Sequence, residues 1–185
     1  AAMAPILGAI SDTGSTKKKF LFTFAFLGIL STSLLWFVEQ GDWQLAAILY
    51  AIGAIGFASG NIFYDSLLPS VAKKNEFDLV SSLGYSLGYL GGGILFIINI
   101  LMYQNPEWFG IPDATTAIRL SFVTVGVWWS IFSIPIFLFV PEQKNSDDIS
   151  FGKAVGLGWS QLKTTFKEIK QMKVMGLFLF SYWLY

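Results

Sequence analysis

From Phe20 to Val38 the chain runs nineteen residues without a charge. Three further apolar runs follow, Gln44–Leu68, Leu83–Tyr103 and Ile118–Val140, broken only by Asp65 and Arg119. A hydrocarbon core of about 30 Å takes roughly 20 apolar residues as a helix, the one linear element that satisfies its own backbone in lipid. The spacing therefore predicts four complete transmembrane helices. A soluble bundle would need a polar face on each helix, and these runs have none. Charged residues make up 13% of the chain, about half the share of an ordinary soluble domain. Two shorter apolar runs, Ala1–Ile10 and Val174–Tyr185, read as spans cut through. The expectation is an all-α membrane protein: part of a larger one, with four complete and two truncated transmembrane helices.

The basic residues give the orientation. All eleven Lys fall in alternate loops: Lys17–Lys19, then Lys73 and Lys74, then Lys144 to Lys173. The loops between hold Glu39 and Asp42, then Glu107 and Asp113, and no Lys. Excess Lys and Arg marks the cytoplasmic side of a membrane protein. Lys18, Lys74 and Lys144 are thus expected inside, and Asp42 and Glu107 outside. Trp36, Trp43 and Trp108 sit near the outer span ends, where interfacial aromatics belong. The chain has neither Cys nor His. That removes thiol nucleophiles, imidazole bases and Cys/His metal sites. No span carries a nucleophile–base pair, so an intramembrane enzyme is disfavoured, and no cofactor, metal or nucleic acid is called for.

The connections divide the chain into three parts. Residues 1–140 form an incomplete N-terminal membrane bundle, 141–173 a cytoplasmic central loop, and 174–185 the start of a second bundle. Within the loop, Phe151, Val155, Trp159, Leu162, Phe166, Ile169 and Met172 recur at helical steps, with Lys153, Lys163, Lys167 and Lys170 elsewhere around the wheel. Ser150 is placed to cap it. A basic amphipathic helix next to a span lies in the headgroup plane or links two bundles.

Three motifs carry the functional reading. The first is the opening loop, Gly8 through Asp12 and Gly14 to Lys17 and Lys18. The second is Gly84, Gly88 and Gly92, four apart, forming a bare stripe of the kind that lets membrane helices approach closely. The third is Phe57, Asn61, Tyr64 and Asp65, followed by Leu67-Leu68-Pro69. Asn61 and Asp65 are one turn apart and share a face. A charge in a span is costly unless it faces water or a partner. Asp65 is therefore expected to line a watered pathway, pairing with Lys73 first, or else attracting a cation or carrying a coupling proton.

The opening loop resembles the signature between the second and third spans of the major facilitator superfamily, with departures at Thr13, Ser15 and Thr16. The run Gly60-Asn-Ile-Phe-Tyr-Asp65-Ser-Leu-Leu-Pro69, with Ser81 to Gly92 after it, is similar to bacterial permeases related to the vacuolar amino-acid effluxers of autophagy. The end, Leu177 to Tyr185, is similar to the start of their seventh span. The resemblance implies two six-helix bundles rocking about a midplane site, of which this chain carries the second to seventh spans. It implies a secondary active transporter of a small solute, such as an amino acid exported with a coupling proton or cation. It also implies that Gly8, Asp12, Gly14, Lys17 and Lys18 act at an inner gate, and that Gly84, Gly88 and Gly92 pack where the bundles meet. The membrane expected is a bacterial cytoplasmic one. A sugar–cation symporter of the same superfamily and a non-transporting membrane scaffold are the alternatives.

Overall fold

The computed structural model describes residues 17–142 and the isolated positions 156, 159, 160, 163, 164, 177 and 181. Four long helices fill the first of these: α1 (Lys17–Leu34), α2 (Trp43–Ser66), α3 (Phe77–Gln104) and α4 (Ala114–Phe139). Each is long and apolar enough to cross a membrane. There is no strand among the described residues, and the unit is an all-α membrane bundle. α1 packs against both α2 and α4, and α4 packs against α3. The helices thus follow the spatial order α2, α1, α4, α3.

The helix ends differ from the apolar runs. α3 starts at Phe77 rather than Leu83, and α4 at Ala114 rather than Ile118. The physical reason is that apolar composition reports the hydrocarbon, while helices continue into the headgroup layer. At 28 residues α3 is about 42 Å long, well beyond the hydrocarbon core. Its first turns use Asp78 and Ser82, whose hydroxyl donates to the Asp78 carbonyl at 2.6 Å. α4 starts where Asp113 caps it: the Thr116 N–H donates to the carboxylate at 2.8 Å. The Thr116 hydroxyl donates to the same group at 3.1 Å. α2 stops at Ser66 and a single helical turn, Leu68–Val71, follows. Pro69 has no N–H to give the Asp65 carbonyl, so the ladder cannot run on. The connection from α2 to α3 is accordingly short, with a 3-10 turn at Lys74–Glu76 leading into α3. The tight turn after α1 places Gly41 at φ 104, a backbone conformation that favours glycine.

Small residues set the helix spacing. A Cβ on Gly56 would lie 2.7 Å from the backbone N of Gly28 and 2.8 Å from the Phe24 carbonyl. α1 and α2 therefore touch backbone to backbone, the close approach that bare residues allow in membranes. Below that crossing Phe63 is fully buried, stacked 5.2 Å from Phe20 and 5.8 Å from Phe24. On the other side of α1, Gly28 lies under the Trp129 ring and Gly126 against Ser33. α4 meets α3 through a hydrogen bond from the Thr124 hydroxyl to the Asn99 amide oxygen at 2.9 Å. Such interhelical bonds contribute roughly 0.6 kcal/mol on average.

The two ends of the bundle are chemically distinct. At one end the Lys17 ammonium donates to the Ser66 carbonyl at 3.2 Å, and the Lys18 ammonium to the Phe137 carbonyl at 3.1 Å. These are the carbonyl ends of α2 and α4, where cations complement the helix dipole. Lys19, Lys73 and Lys74 lie at the same end, by chain position. At the other end the Arg119 guanidinium donates to the Trp36 carbonyl at 2.7 Å and lies 5.6 Å from the Trp36 ring centre.

Candidate functional site

Phe57, Asn61, Tyr64 and Asp65 fall at helical steps along the second half of α2, and that spacing puts them on one face. They line two adjacent cavities. The first, about 200 Å³, lies between α1, α2 and α4 and takes Phe57, Asn61 and Tyr64 from α2. Trp129 from α4 closes its side, edge-on to Phe57 at 5.9 Å. The second, about 370 Å³, lies between α2, α3 and α4 and takes Tyr64 and Asp65 from α2 and Tyr85 from α3. Tyr64, Phe132 and Ile136 line both.

The electrostatics centre on Asp65. Its partner is Tyr85, whose hydroxyl donates to the carboxylate at 3.2 and 3.3 Å. The expected pairing with Lys73 is not formed: Lys73 gives its backbone N–H to Glu76, at 3.2 Å, within a capping box at the 3-10 turn. The reason is geometric. The chain turns at Leu68–Val71 and carries Lys73 into that cap, while Tyr85 reaches Asp65 from α3. Among the described residues no metal-binding cluster occurs. Among the described residues no Lys or Arg lines either cavity, and Asp65 is the one charged side chain that does. The Asn61 amide makes no hydrogen bond among the described residues, and its side chain is exposed.

Of the opening loop, Gly8, Asp12 and Gly14 lie outside the described residues, whereas Lys17 and Lys18 cap the ends of α2 and α4. The central-loop helix also lies mostly outside them. At its isolated described positions, Gly156, Trp159, Ser160, Lys163 and Thr164 are helical and exposed, and the Lys163 ammonium lies 5.8 Å from the Trp159 ring centre. Along α3, Gly88 and Gly92 meet nothing within 4 Å, and Gly84 meets only the Tyr64 hydroxyl, 3.5 Å from where its Cβ would be. The close helix contacts within the unit are made by Gly28, Gly56 and Gly126 instead.

Sequence reasoning missed Tyr85, Trp129 and Phe132. For Tyr85 a signal existed: a phenol inside an apolar run must find a polar partner, and Asp65 is the acid available. Trp129 and Phe132 gave none, since an aromatic in a span is ordinary.

The sequence comparisons agree with this architecture. The model of the family described as vacuole effluxer Atg22-like matches residues 1–185. The chain is 36% identical over 189 residues to the uncharacterised MFS-type transporter YxiO of Bacillus subtilis, covering 100% of this chain and 43% of that protein. It is 33% identical over 131 residues to autophagy-related protein 22 of Yarrowia lipolytica, covering 60% of this chain and 21% of that protein. With autophagy-related protein 22 of Coccidioides immitis it shares 24% identity over 239 residues, covering 96% and 39%. The chain thus spans less than half the length of these relatives. No solved structure matches it. The family description and the name of the Bacillus relative are those of transporters rather than enzymes. With the family model covering every residue, the chain belongs to the vacuole effluxer Atg22-like family.

Proposed function

We propose that the full-length protein is a secondary transporter that moves a small solute by alternating access, and that the Phe57–Asp65 face of α2 lines the part of the pathway nearest the Lys-rich end. The observation that carries the reading is the convergence of four polar or aromatic residues of one helix face on two adjoining cavities. A carboxylate and an amide in a span belong where water reaches them, and transporters of this architecture bind solute between helices near the midplane. The effluxer description supports a transporter, and export is the direction that the resemblance implies. An amino acid is the solute and a proton or cation the coupling ion that the resemblance supports. The 36% identity to a Bacillus protein supports a bacterial cytoplasmic membrane, with the Lys-rich end inside. In this reading residues 1–140 belong to the first bundle, 141–173 to the central loop and 174–185 to the second bundle. Gly8, Asp12, Gly14, Lys17 and Lys18 work at the inner gate. Gly84, Gly88 and Gly92 offer α3 a bare face for a helix outside the described unit.

The test is Asp65→Asn and Asn61→Ala in the full-length transporter, with folding checked by thermal melting. Transport of the solute should fall by about ten-fold or more for each, the scale of losing one hydrogen bond that involves a charged group. Transport and pH dependence unchanged in both variants would return the pair to a structural role.

A further inference from the structure

We propose that the cleft between α2, α3 and α4 is an ammonium site: it holds the cationic end of a small amphipathic solute at the Asp65 carboxylate, with the apolar remainder against Tyr64 and Phe132. This rests on the pathway reading above and names the class of solute.

Charge comes first. The Asp65 carboxylate makes no ion pair among the described residues, and its hydrogen-bond partner, Tyr85, is neutral. Lys17, the cation brought to the end of α2, is engaged by the Ser66 carbonyl. Asp65 also sits in the last turn of α2, at the negative end of the helix dipole. A carboxylate at that end of a helix is relieved by a positive partner, and among the described residues the cavity walls supply none.

The walls select the rest of the solute. Tyr64, Tyr85 and Phe132 line the cleft, and aromatic faces attract a cation as well as burying apolar surface. A hard inorganic cation takes several oxygen ligands at once; here the Asp65 carboxylate and the Ser81, Tyr64 and Tyr85 hydroxyls are set among apolar Leu67, Leu68, Val71 and Ile136, a wall that suits an ammonium with an apolar substituent better than a bare ion. An anion would meet a like charge and, among the described residues, no Lys or Arg in the cavity wall. The cleft therefore accepts an ammonium with an apolar substituent and disfavours a carboxylate or phosphate placed beside Asp65.

The experiment uses the full-length protein in nanodiscs and three probes that share one ring: phenethylammonium, 2-phenylethanol and 3-phenylpropionate. Calorimetry at neutral pH should rank them in that order, with phenethylammonium about ten-fold tighter than the alcohol, the scale of one partly solvated charge contact with an aromatic wall. Asp65→Asn keeps an acceptor for Tyr85 and removes the charge. It should abolish the preference while leaving phenylethanol binding unchanged, and Asp65→Glu should restore the preference. Equal binding of the three probes, no binding of any, or a preference that survives Asp65→Asn overturns the assignment. So does displacement of phenethylammonium when KCl is exchanged for NaCl at constant ionic strength, which would give the carboxylate to an inorganic ion. A single Cys at position 61 separates the two readings. If it reacts with a water-soluble thiol reagent and all three probes protect it alike, the pathway stands and the ammonium class falls. If it reacts with no water-soluble reagent, the pathway falls and takes the class with it.

Discussion

At Gly56 one hydrogen atom decides the distance between two helices. Alanine there would press a methyl onto the Gly28 backbone, 2.7 Å away, and a backbone cannot rotate aside as a side chain can. The helices must separate, and the stacked Phe63, Phe20 and Phe24 rings below lose contact with them. Overpacking of this kind costs about 1–3 kcal/mol, so Gly56→Ala should lower the melting temperature measurably in detergent. Gly88→Ala, with nothing within 4 Å in this unit, should not lower the stability of residues 17–142. Asp113 makes a second residue-scale prediction. The Thr116 backbone N–H bonds its carboxylate and holds it below the usual carboxylate range, outweighing a small desolvation effect in the other direction. A depressed folded pKa means stability that is present above the unfolded value of about 3.9 and lost as pH falls through the lower folded value. Asp113→Ala should therefore melt below wild type at neutral pH, and the gap should narrow as pH drops below about 4. A gap independent of pH would assign the effect to packing rather than to the charged cap.

Among the elements, α3 is the least enclosed: it packs along α4, and its Leu87, Tyr89 and Leu90 are exposed. It also carries the glycine stripe, of which Gly88 and Gly92 meet nothing within 4 Å among the described residues. If another part of the full-length protein packs there, Gly88→Leu should cut transport by about ten-fold or more while Leu87→Val stays mild, because only the stripe needs bare backbone. Equal tolerance of both would mean that the stripe faces lipid. The contrast between α2 and α3 also indicates what a sequence can disclose. Four spans were legible because hydrocarbon thickness fixes the length of an apolar run. Their ends were not, because Asp78, Ser82 and Asp113 extend or cap helices within the polar layer, where composition gives no warning. The face of α2 that carries Phe57, Asn61, Tyr64 and Asp65 followed from helical periodicity alone. What stands opposite that face did not. Periodicity orders residues within a helix and says nothing of which helix lies across from it. Tyr85 opposite Asp65, and Gly28 opposite Gly56, are products of packing.

At the scale of the whole unit, the Lys pattern and the helix packing bear on one another. Four helices joined by short connections alternate in direction, so the starts of α1 and α3 and the ends of α2 and α4 share one end. The structure ties that end together with Lys17 on the Ser66 carbonyl and Lys18 on the Phe137 carbonyl. The same Lys residues whose distribution predicts the cytoplasmic side thus also cap two helices. A charge bias that merely oriented insertion would need no such contacts. The opposite end is closed by Arg119 on the Trp36 carbonyl. That bond gives the one basic residue found there a partner at its own level, so Arg119 does not contradict the orientation. The prediction is then specific. The chain lacks Cys, so single replacements at Lys18, Lys74, Asp42 and Glu107 can be labelled in sealed right-side-out vesicles with a membrane-impermeant thiol reagent. Positions 42 and 107 should react from outside, and positions 18 and 74 only after the membrane is opened. Lys18→Cys also removes the cap on α4, a contact worth about 0.3–1 kcal/mol at an exposed helix end, and the variant should melt slightly below Lys74→Cys while keeping the same sidedness. Reaction of positions 18 and 42 from the same side would be incompatible with α1 crossing the membrane, and the antiparallel bundle as a whole would have to be abandoned.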